Sequence, residues 1–475
     1  MEKPALVWIR NDLRLHDNPA LFEAVSKSRH VVLLYIFDAS SLHYSFPGGA
    51  SRVWLGRALD YFGDRVRQKG FGWVIREGNP LDILKVMLRE LDTTHLFWNR
   101  RYEPDFLQQD AEIEELLSQD GISVHTFQGN LLVEPWKVMT KKGTPFTVFT
   151  PFMQAFKELC PNTCEAPEVA PSPYPIQHYT LCSHALPLTP LYLDWPKHVL
   201  RPWKVGEEGA LEVLEDFCLQ NLVQYEEKKD FPAQEATSRL SPYLHSGEIS
   251  PRRVWNMVLA YERKTRRSIG EAFLRELVWR EFSQYIMYHF PRTQTEAFKQ
   301  GLDVLSWRKE DNELRAWQEG RTGIPFVDAG MRELWETGWM NNRVRMISAS
   351  FLVKHLLHNW KEGLLWFWDT LVDADTSSNT YNWQYITGCG ASAPPFFRIF
   401  NPIFQAKRYD PEGAYVKKYV PELKNVPPAY IHAPWEAPVQ DLLSWGVSLG
   451  QTYPWPIVDI NDGRKRAIEA YAKTS

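Results

Sequence analysis

The sequence predicts an α/β domain with a doubly wound, Rossmann-like parallel sheet, followed by an all-helical domain. Three observations predict this. The first 130 residues alternate short apolar runs with helical periods, residues 161–206 lose periodicity and are rich in proline, and helical periods dominate from about residue 208. A chain of 475 residues is also too long for one ordinary core. We therefore expect an α/β domain over 1–130, a wrapped linker over 131–206 and a helical domain over 207–475.

Apolar runs without alternation predict the strands of the sheet. Helical periods between them, at 51–69, 80–92 and 104–119, favour a parallel sheet covered on both faces. The first turn, 10–14, lacks the glycine pattern of a dinucleotide site, so none is predicted there. The predicted strands are Ala5–Ile9, Val31–Phe37, Trp73–Ile75, His95–Trp98 and Ile122–Phe127.

The second domain should be a helical bundle. Its predicted helices are 208–224, 251–266, 270–289, 324–337, 341–359 and 362–371.

Charge and cysteine content exclude several classes of protein. The net charge of −4 gives no general affinity for nucleic acid, so a polyanion site must be a local basic patch. Residues 251–280 and residues 389–408, which contain Arg398, Lys407 and Arg408, are candidates, and a solvated helix face is the alternative for each. Five scattered cysteines indicate a reducing compartment, and no apolar run is long enough for a membrane span. We expect a cytosolic protein without a metal site.

The segment from Trp307 to Trp383 points to one particular chemistry, a redox cofactor, more specifically than any other part of the sequence. It contains Trp307, Trp360 and Trp383, which can carry single electrons, and the carboxylates Asp373 and Asp375 close to Asn379. Several arginines and two carboxylates are costly to bury unless they are paired or bound to a ligand. The alternative for any one tryptophan is ordinary core packing.

Two further segments allow a functional and a structural interpretation. Residues 237–241 precede a helix, where hydroxyls and backbone N–H groups can bind phosphate or simply cap the helix. Glu276, Trp279 and Arg280 share one helix face, where they could contact a base and a phosphate. The simpler interpretation is a Glu276–Arg280 ion pair beside a core tryptophan.

The chain resembles the DNA photolyase/cryptochrome family, most of all the class I and class III photolyases that repair cyclobutane pyrimidine dimers (CPDs). The resemblance runs from Ala5 to about Asp459. Its motifs are residues 8–14, 237–241, 279–282, 317–320, 339–346 and 397–402.

This resemblance implies an antenna domain, a wrapped linker and a helical domain that binds FAD in a folded-over shape. It also implies an activity, in which light excites the reduced flavin and one electron splits the dimer in UV-damaged DNA. The residues that match the FAD contacts are Tyr225, Thr237, Ser238, Arg239, Leu240, Ser241, Trp339, Asn342, Arg345, Asp373, Asp375 and Asn379, with Asn379 facing flavin N5.

The same resemblance implies roles in catalysis, electron transfer and DNA binding. Glu276, Asn379 and Met346 match catalytic positions, and Trp383, Trp360 and Trp307 match an electron-transfer chain from the flavin to the surface. The residues that match contacts to the flipped-out lesion or the DNA rim are Lys229, Glu276, Trp279, Arg280, Asn342, Arg343, Met346, Tyr385, Arg398 and Gln405. We expect a monomer acting on double- or single-stranded DNA.

Four departures from the family pattern matter. Asn341 replaces a histidine common in CPD enzymes, which argues against (6-4) photoproducts as the substrate. Tyr385 replaces a tryptophan, and Lys229 replaces an arginine, keeping the charge but losing the bidentate fork. Asp105-Phe106 does not reproduce the folate-binding pair of class I enzymes. The second chromophore is therefore a folate such as methenyltetrahydrofolate, a deazaflavin or a flavin such as FMN, or is absent.

Two other functions compete with repair. One is a cryptochrome-type photosensor, which Asn379 disfavours because plant members tend to carry aspartate and animal members cysteine there. The other is a generic flavin oxidoreductase, for which no hydride-donor site is apparent.

Overall fold

A five-stranded parallel sheet with the strand order β3-β2-β1-β4-β5 forms the first domain. Val7 in the central strand pairs with Leu33 on one side and Phe97 on the other. The structure is a computed structural model that describes residues 3–38, 46–160, 195–299 and 305–473. The strands are β1 (Ala5–Ile9), β2 (Val31–Phe37), β3 (Gly72–Glu77), β4 (His95–Asn99) and β5 (Ser123–Phe127), and the helices between them are α1 (Pro19–Lys27), α2 (Gly49–Gln68), α3 (Pro80–Glu90) and α4 (Pro104–Gln119).

The helical domain begins after the linker and fills the rest of the chain. Its helices, with two in the linker, are α5 (Phe149–Leu159), α6 (Pro196–Val199), α7 (Glu207–Asp216), α8 (Tyr225–Lys228), α9 (Ser241–Ser246), α10 (Pro251–Thr265), α11 (Glu271–His289), α12 (Asp311–Gln318), α13 (Pro325–Thr337), α14 (Asn342–Ser350), α15 (Trp360–Thr370), α16 (Thr376–Thr387), α17 (Pro402–Tyr409), α18 (Ala414–Tyr419), α19 (Val439–Ser444) and α20 (Ile460–Ala472). Two π-helical turns are Phe217–Asn221 and Phe351–His355. The 3₁₀ turns are Pro135–Lys137, Leu222–Gln224, Pro291–Gln294, Pro421–Leu423 and Pro434–Glu436.

The predicted fold class is confirmed, with corrections to particular elements. The predicted helix 208–224 ends at Asp216 and continues as a π turn, and the predicted helix 341–359 likewise ends at Ser350 before a second π turn. The predicted linker contains helix α5, which the proline-based reading missed. Residues 161–194, the core of that linker, lie outside the described residues.

The two faces of the sheet have different partners. Alternate residues of β1, such as Val7 and Ile9, join a core shared with α5 and the first helices of the helical domain. Leu6 and Trp8 face the other way, into a core with α3 and α4. The remaining helices surround a third core that contains Trp360 and Trp383. The face of the sheet that α1 and α2 cover is therefore turned toward the helical domain, and α2 packs against both β3 and α15.

Side chains also join the two domains. The Glu207 carboxylate accepts the backbone N–H groups of Leu15 and His16, at 3.0 and 2.9 Å. Asp17 pairs with Arg252 at 2.7 Å. Within the described ranges no helix is long and apolar enough to cross a membrane, and no cluster of three metal-ligating side chains occurs.

Candidate functional site

An ion pair between helix α14 and the turn before α16 lies at the centre of the candidate site. Arg345 Nη2 donates to Asp373 Oδ2 at 2.8 Å, and its Nε donates to the Met340 carbonyl at 2.7 Å. Asp373 is buried, and its other oxygen, Oδ1, has no hydrogen-bond partner among the described residues. Buried carboxylate oxygens are almost always hydrogen-bonded, so this atom suits a donor on a bound molecule.

The segment 237–241 lies on one wall of this region. The Arg239 guanidinium stacks over Trp339, 4.8 Å from the ring centroid, and Trp339 Nε1 donates to Ser241 Oγ at 3.3 Å. Arg239 has a φ of +51°, a conformation rare for a residue with a side chain. A cavity of about 90 Å³ is lined by Thr237, Arg239 and Trp339.

Helix capping does not explain this segment. The residue at the cap of α9 is Leu240, and no side chain of the segment bonds to the first turn as a cap. Ser238 Oγ accepts only the Leu240 N–H, at 3.4 Å. Thr237 instead lines the cavity, and the exposed Ser241 accepts Trp339 Nε1, which is consistent with ligand binding by this segment.

Asp375 connects the site to the α/β domain. It caps α16 by accepting the Ser378 N–H at 2.7 Å, and its Oδ2 accepts Gln284 Nε2 at 3.1 Å. The same amide reaches Glu103 of the first domain at 3.4 Å. Burial, and secondarily the charge of Asp375, raises the pKa of Glu103. Gln284 and Glu103 were missed in the sequence, where the only signal is a glutamine inside the apolar run 282–287.

His245 is a second group that sequence reasoning missed. Its Nδ1 is buried without a hydrogen-bond partner. Burial lowers the pKa of this histidine, while the charges of Asp375 and Asp373 act in the opposite direction. The unpaired nitrogen, like Asp373 Oδ1, is a polar atom that a bound ligand could satisfy.

The departure at Asn341 has a structural explanation. Its side chain caps α14 by accepting the Arg343 N–H at 2.9 Å, and its Nδ2 donates to the Lys229 carbonyl at 3.0 Å. Asparagine is among the best capping residues. Asn341 thereby joins the segment that carries Lys229 to the start of the helix that carries Asn342.

Glu276 is paired, but not with the partner that its spacing suggested. Lys229 Nζ donates to Glu276 Oε1, and the same ammonium lies 5.5 Å from the centroid of the Tyr225 ring. Arg280 instead donates to the Asn130 carbonyl at 2.9 Å, and its side chain is only 17% exposed. Arg280 therefore lies at the contact with the first domain, away from the rim where we expected it.

Trp279 is held rigidly by a residue from the linker. Its ring stacks on Phe149 of α5, with the two planes 7° apart. Tyr381 lies 6.1 Å away on α16, and Tyr385 stacks on Tyr381 at 6.4 Å. Phe149 gave no sequence signal of this role. These rings form a series of aromatic contacts that reaches Trp279, one helical turn from Glu276 on α11.

Three further predicted residues lie on α14 and α16. Asn342 is exposed, with Nδ2 3.9 Å from the Met346 sulfur. Asn379 is half-buried on the first turn of α16 and donates to the Leu364 carbonyl at 3.1 Å. Arg343 pairs with Asp230 and stacks over Tyr409 at 4.7 Å, so its charge is already engaged within the protein.

The three predicted electron carriers become more exposed from Trp383 outward. Trp383 and Trp360 are buried, at 2% and 3% exposure, and both belong to the same helical core. Trp307 is half-buried and packs against that core. Gly363 lies so close to Trp383 that a Cβ there would be 2.1 Å from the indole.

A basic and aromatic rim follows α16. Arg398 is exposed beside Phe397, which is 57% exposed, and Phe404 on α17 is 64% exposed. Gln405 is half-buried, and the last turn of α17 is basic. The Arg398–Arg408 segment therefore presents its charge to solvent, as a nucleic-acid surface requires.

A second cavity, of about 130 Å³, opens at the carboxyl ends of β1 and β2. Ligands of open α/β sheets bind at this edge, where the strand order reverses. Arg101 stacks over Phe106 in its wall at 3.8 Å, and Arg101 Nε and Trp8 Nε1 are buried donors without partners. Asp105 is not free for a ligand, because it accepts Gln294 Nε2 at 2.9 Å.

Comparison with known proteins defines the class to which this two-domain fold belongs. Residues 5–173 match the family model described as DNA photolyase, and residues 273–473 match the FAD binding domain of DNA photolyase. The chain belongs to the DNA photolyase family, and FAD is its cofactor.

Individual relatives support this assignment over the whole length. A deoxyribodipyrimidine photo-lyase of Agrobacterium fabrum is 43% identical, over 99% of this chain and 98% of its own. Cryptochrome-2 of Arabidopsis thaliana is 36% identical, over 100% of this chain and 79% of its own. The crystal structure of a bacterial class III photolyase from Agrobacterium tumefaciens superposes with a TM-score of 0.94 at 42% identity, covering 100% and 98% of the two chains.

Proposed function

We propose that this chain is a light-driven deoxyribodipyrimidine photo-lyase that repairs cyclobutane pyrimidine dimers in DNA. One observation carries the assignment of the site. An ion pair between the partly buried Arg345 and the buried Asp373 leaves Asp373 Oδ1 without a partner among the described residues, and Arg345 also lies over Trp339, which stacks on Arg239. An unpaired buried acceptor is costly unless a ligand completes it, and the ribityl and ring donors of a flavin nucleotide have the required chemistry.

The residues around this pair would each bind a different part of the cofactor. Arg239, Thr237 and Ser241 offer a cation and hydroxyls for the phosphates, and Asp373 offers an acceptor for a ring or ribityl donor. Asn379 presents a neutral amide, which does not titrate and keeps the environment of the flavin ring constant. When bound, reduced FAD supplies the light-excited electron that splits the dimer.

Glu276, Trp279, Asn342, Met346 and Tyr385 would form the lesion pocket. A base extruded from the duplex needs an aromatic face and hydrogen-bond partners for its edge. Stacking on such a face contributes about 1–3 kcal/mol per base. Because Phe149 fixes one face of Trp279, the indole is already oriented before a base arrives.

Lys229 would neutralise Glu276 until a lesion enters the pocket. The ion pair keeps a partly buried carboxylate from lying unpaired. A pyrimidine edge can replace the ammonium as hydrogen-bond donor to Glu276, which leaves Lys229 to face a phosphate.

The exposed rim would bind the DNA backbone. Arg398, Lys407, Arg408 and Gln405 present donors to phosphate oxygens, whereas Arg280 and Arg343 act within the protein by engaging Asn130 and Asp230. Since the whole chain carries a charge of −4, affinity depends on this local patch and should fall with salt. We propose action as a monomer in the compartment that holds the DNA.

The tryptophans would serve photoreduction rather than repair. Trp383, Trp360 and Trp307 share one core and lead outward in the order of their exposure. They would carry electrons from external reductants to oxidised flavin.

The cavity at the sheet edge would hold the second chromophore. Its walls combine aromatic rings with the unpaired donors of Trp8 and Arg101, which suits a planar ligand rich in acceptor atoms. A folate, a deazaflavin and FMN all meet this description. The absorption spectrum of pigment released from the purified protein distinguishes them.

The decisive experiment is repair of a defined substrate. The purified protein, loaded with FAD and chemically reduced, is irradiated with blue light in the presence of an oligonucleotide that contains one dimer. We expect dimers to disappear in the light and persist in the dark. Unchanged dimers with flavin bound would favour a photosensor and overturn the proposal.

A matched pair of variants tests the cofactor site separately. Asp373→Ala should purify with little FAD, because it removes both the partner of Arg345 and the unpaired acceptor. Asp311→Ala, on the exposed start of α12, should retain FAD. Full FAD retention by Asp373→Ala would contradict the assignment of the cofactor site.

A further inference from the structure

A buried lysine in the helical domain has no counter-ion. Lys354, in the π-helical turn after α14, is 1% exposed. Its Nζ donates to the carbonyl oxygens of Thr387, at 2.7 Å, and Phe396, at 3.0 Å, and lies 3.4 Å from the centroid of the Phe396 ring. In the part of the chain that the structure describes, no carboxylate forms an ion pair with this ammonium.

The burial of this group is costly and only partly offset. Burial lowers the pKa of Lys354 well below its usual value, which reports the penalty on the charged form. Two carbonyls and an aromatic face recover part of that cost. If packing were the only requirement, an unbranched apolar side chain of similar length would meet it without the electrostatic penalty.

The two carbonyls that Lys354 binds lie at the two ends of one loop. Thr387 is the last residue of α16, and Phe396 follows the loop 388–395. A positive charge is favourable at the carboxyl end of a helix, where the last carbonyls lack partners. Gly388, with a φ of +96°, starts the reversal of the chain, and the ammonium closes the loop at its base.

The far end of the loop is fixed by a second contact. The Phe396 ring stacks on Tyr471 of α20, with centroids 5.0 Å apart and planes 7° apart. Within the loop, the Cys389 carbonyl accepts the Lys299 N–H at 2.7 Å. Phe396 is therefore held from both sides, and the next residues, Phe397 and Arg398, leave the core for the exposed rim.

We propose that Lys354 is a positioning residue for DNA binding, which holds the rim at Phe397 and Arg398 in register with the lesion pocket on α16. This inference rests on the proposed function, because it assigns the rim to DNA. The helix that ends at Thr387 also carries Asn379 and Tyr385. One ammonium thus sets the distance between the residues that face the flavin or lesion and those that contact the backbone.

Loss of the Lys354 ammonium should weaken DNA binding and leave the repair reaction itself unchanged. Lys354→Met keeps the side-chain length but frees both carbonyls, so the ends of the loop separate and Arg398 no longer has a fixed position. FAD retention and photoreduction depend on the Arg345–Asp373 pair, Asn379 and the tryptophans, and Lys354 makes no hydrogen bond to any of these groups within the described residues. A generally destabilised protein would instead lose FAD.

The test is a double-mutant cycle on dissociation constants for a dimer-containing duplex. Lys354→Met and Arg398→Ala should each raise Kd about tenfold. The double variant should also raise Kd about tenfold rather than a hundredfold, because both substitutions remove the same contact, that of Arg398 with the DNA backbone. Lys424→Met, at an exposed lysine, is the control and should leave Kd unchanged. FAD content and repair yield at saturating DNA should equal those of the wild type in every variant.

Three outcomes would overturn the inference: additive effects in the double variant, an unchanged Kd for Lys354→Met, or reduced repair yield at saturating DNA. If Lys354→Met does not fold, Lys354→Gln carries the same test, since its amide N–H₂ can still donate and should restore part of the affinity. Wild-type protein that repairs no dimers refutes the proposed function. Wild-type repair with normal binding by the variants refutes only the role of Lys354.

Discussion

Substitution of Gly363 by alanine should destabilise the protein and disturb Trp383. Gly363 lies inside α15, and an ideal Cβ would be 2.1 Å from Trp383 Cη2. Ordinary contact begins at 3.4 Å, so the indole or the helix must move by 3.4 − 2.1 = 1.3 Å. Trp383 is confined by Phe367, 5.0 Å away between centroids, and by Trp317 at 6.3 Å, and cannot retreat freely.

The expected change in the free energy of unfolding has the opposite sign to that of an ordinary glycine-to-alanine substitution in a helix. Glycine to alanine inside a helix usually stabilises by about 0.5–1 kcal/mol. Overpacking of a filled core costs about 1–3 kcal/mol. We therefore expect a net loss of up to about 2.5 kcal/mol in the free energy of unfolding, by difference of these two ranges.

Two measurements check this prediction. Urea unfolding gives the change in stability, and the rate at which blue light and a thiol reduce bound oxidised flavin reports the position of Trp383. Gly363→Ala should reduce flavin more slowly than the wild type, whereas repair by chemically reduced protein should change less. Leu365→Ala, at a half-exposed site on the same helix, controls for general effects on α15. A Gly363→Ala protein that is more stable than the wild type and reduces flavin normally would refute the reasoning.

Three other predictions follow from the site and the domain contact. Trp307→Phe should slow photoreduction by external thiols while leaving repair by pre-reduced protein intact; equal loss of both contradicts the electron-carrier assignment. Glu276→Ala should lower repair yield more than it weakens DNA binding, and an unchanged yield removes its proposed role. Burial raises the pKa of Glu248, which accepts Trp54 Nε1 at 2.8 Å across the domain contact, to about 7 from 4.5. Because the folded-state pKa is the higher one, stability should fall as pH rises from about 4.5 to 7, by at most about 3.4 kcal/mol at 1.36 kcal/mol per pH unit. Urea unfolding of Glu248→Gln at pH 5 and pH 8 should show a smaller fall than the wild type, and an equal fall contradicts this assignment.

The architecture was predictable because its signals are local. Fully apolar strands such as Ala5–Ile9 and Val31–Phe37 gave the parallel sheet, and the helical domain followed from periods of 3.6 residues. The errors have local causes as well. Proline at 161 and beyond suggested an irregular linker, which concealed the amphipathic helix Phe149–Leu159 before it. The π turns at Phe217 and Phe351 follow their α-helices without a break or a capping residue, so the sequence gives no stop signal at the end of the α-helix there.

Which residues form the candidate site was less predictable, because it depends on contacts between residues that are far apart in the sequence. Arg345 and Asp373 could be nominated as a pair, but the roles of Gln284 and Glu103 depend on how the two domains meet. The photolyase assignment itself, made from six motifs, is confirmed by relatives that match along the whole chain. The individual residue roles stay predictions.

Arg280 and Lys229 show why the sequence alone could not predict which basic side chains contact DNA and which form bonds within the protein. The family resemblance predicts both as DNA contacts, and each carries one positive charge on a long side chain. The Asn130 carbonyl, 150 positions earlier in the chain, withdraws Arg280 to the domain contact, whereas Asn341 holds the backbone of Lys229 where its ammonium meets Glu276. A guanidinium that already donates to a partly buried carbonyl would have to give up that bond to reach a phosphate, whereas the exposed Arg398 forms no such bond with any residue that the structure describes. The DNA-facing charge of this protein should therefore be concentrated at Arg398 and α17, on the rim that Lys354 holds, with Lys229 adding one further charge once a lesion replaces it at Glu276.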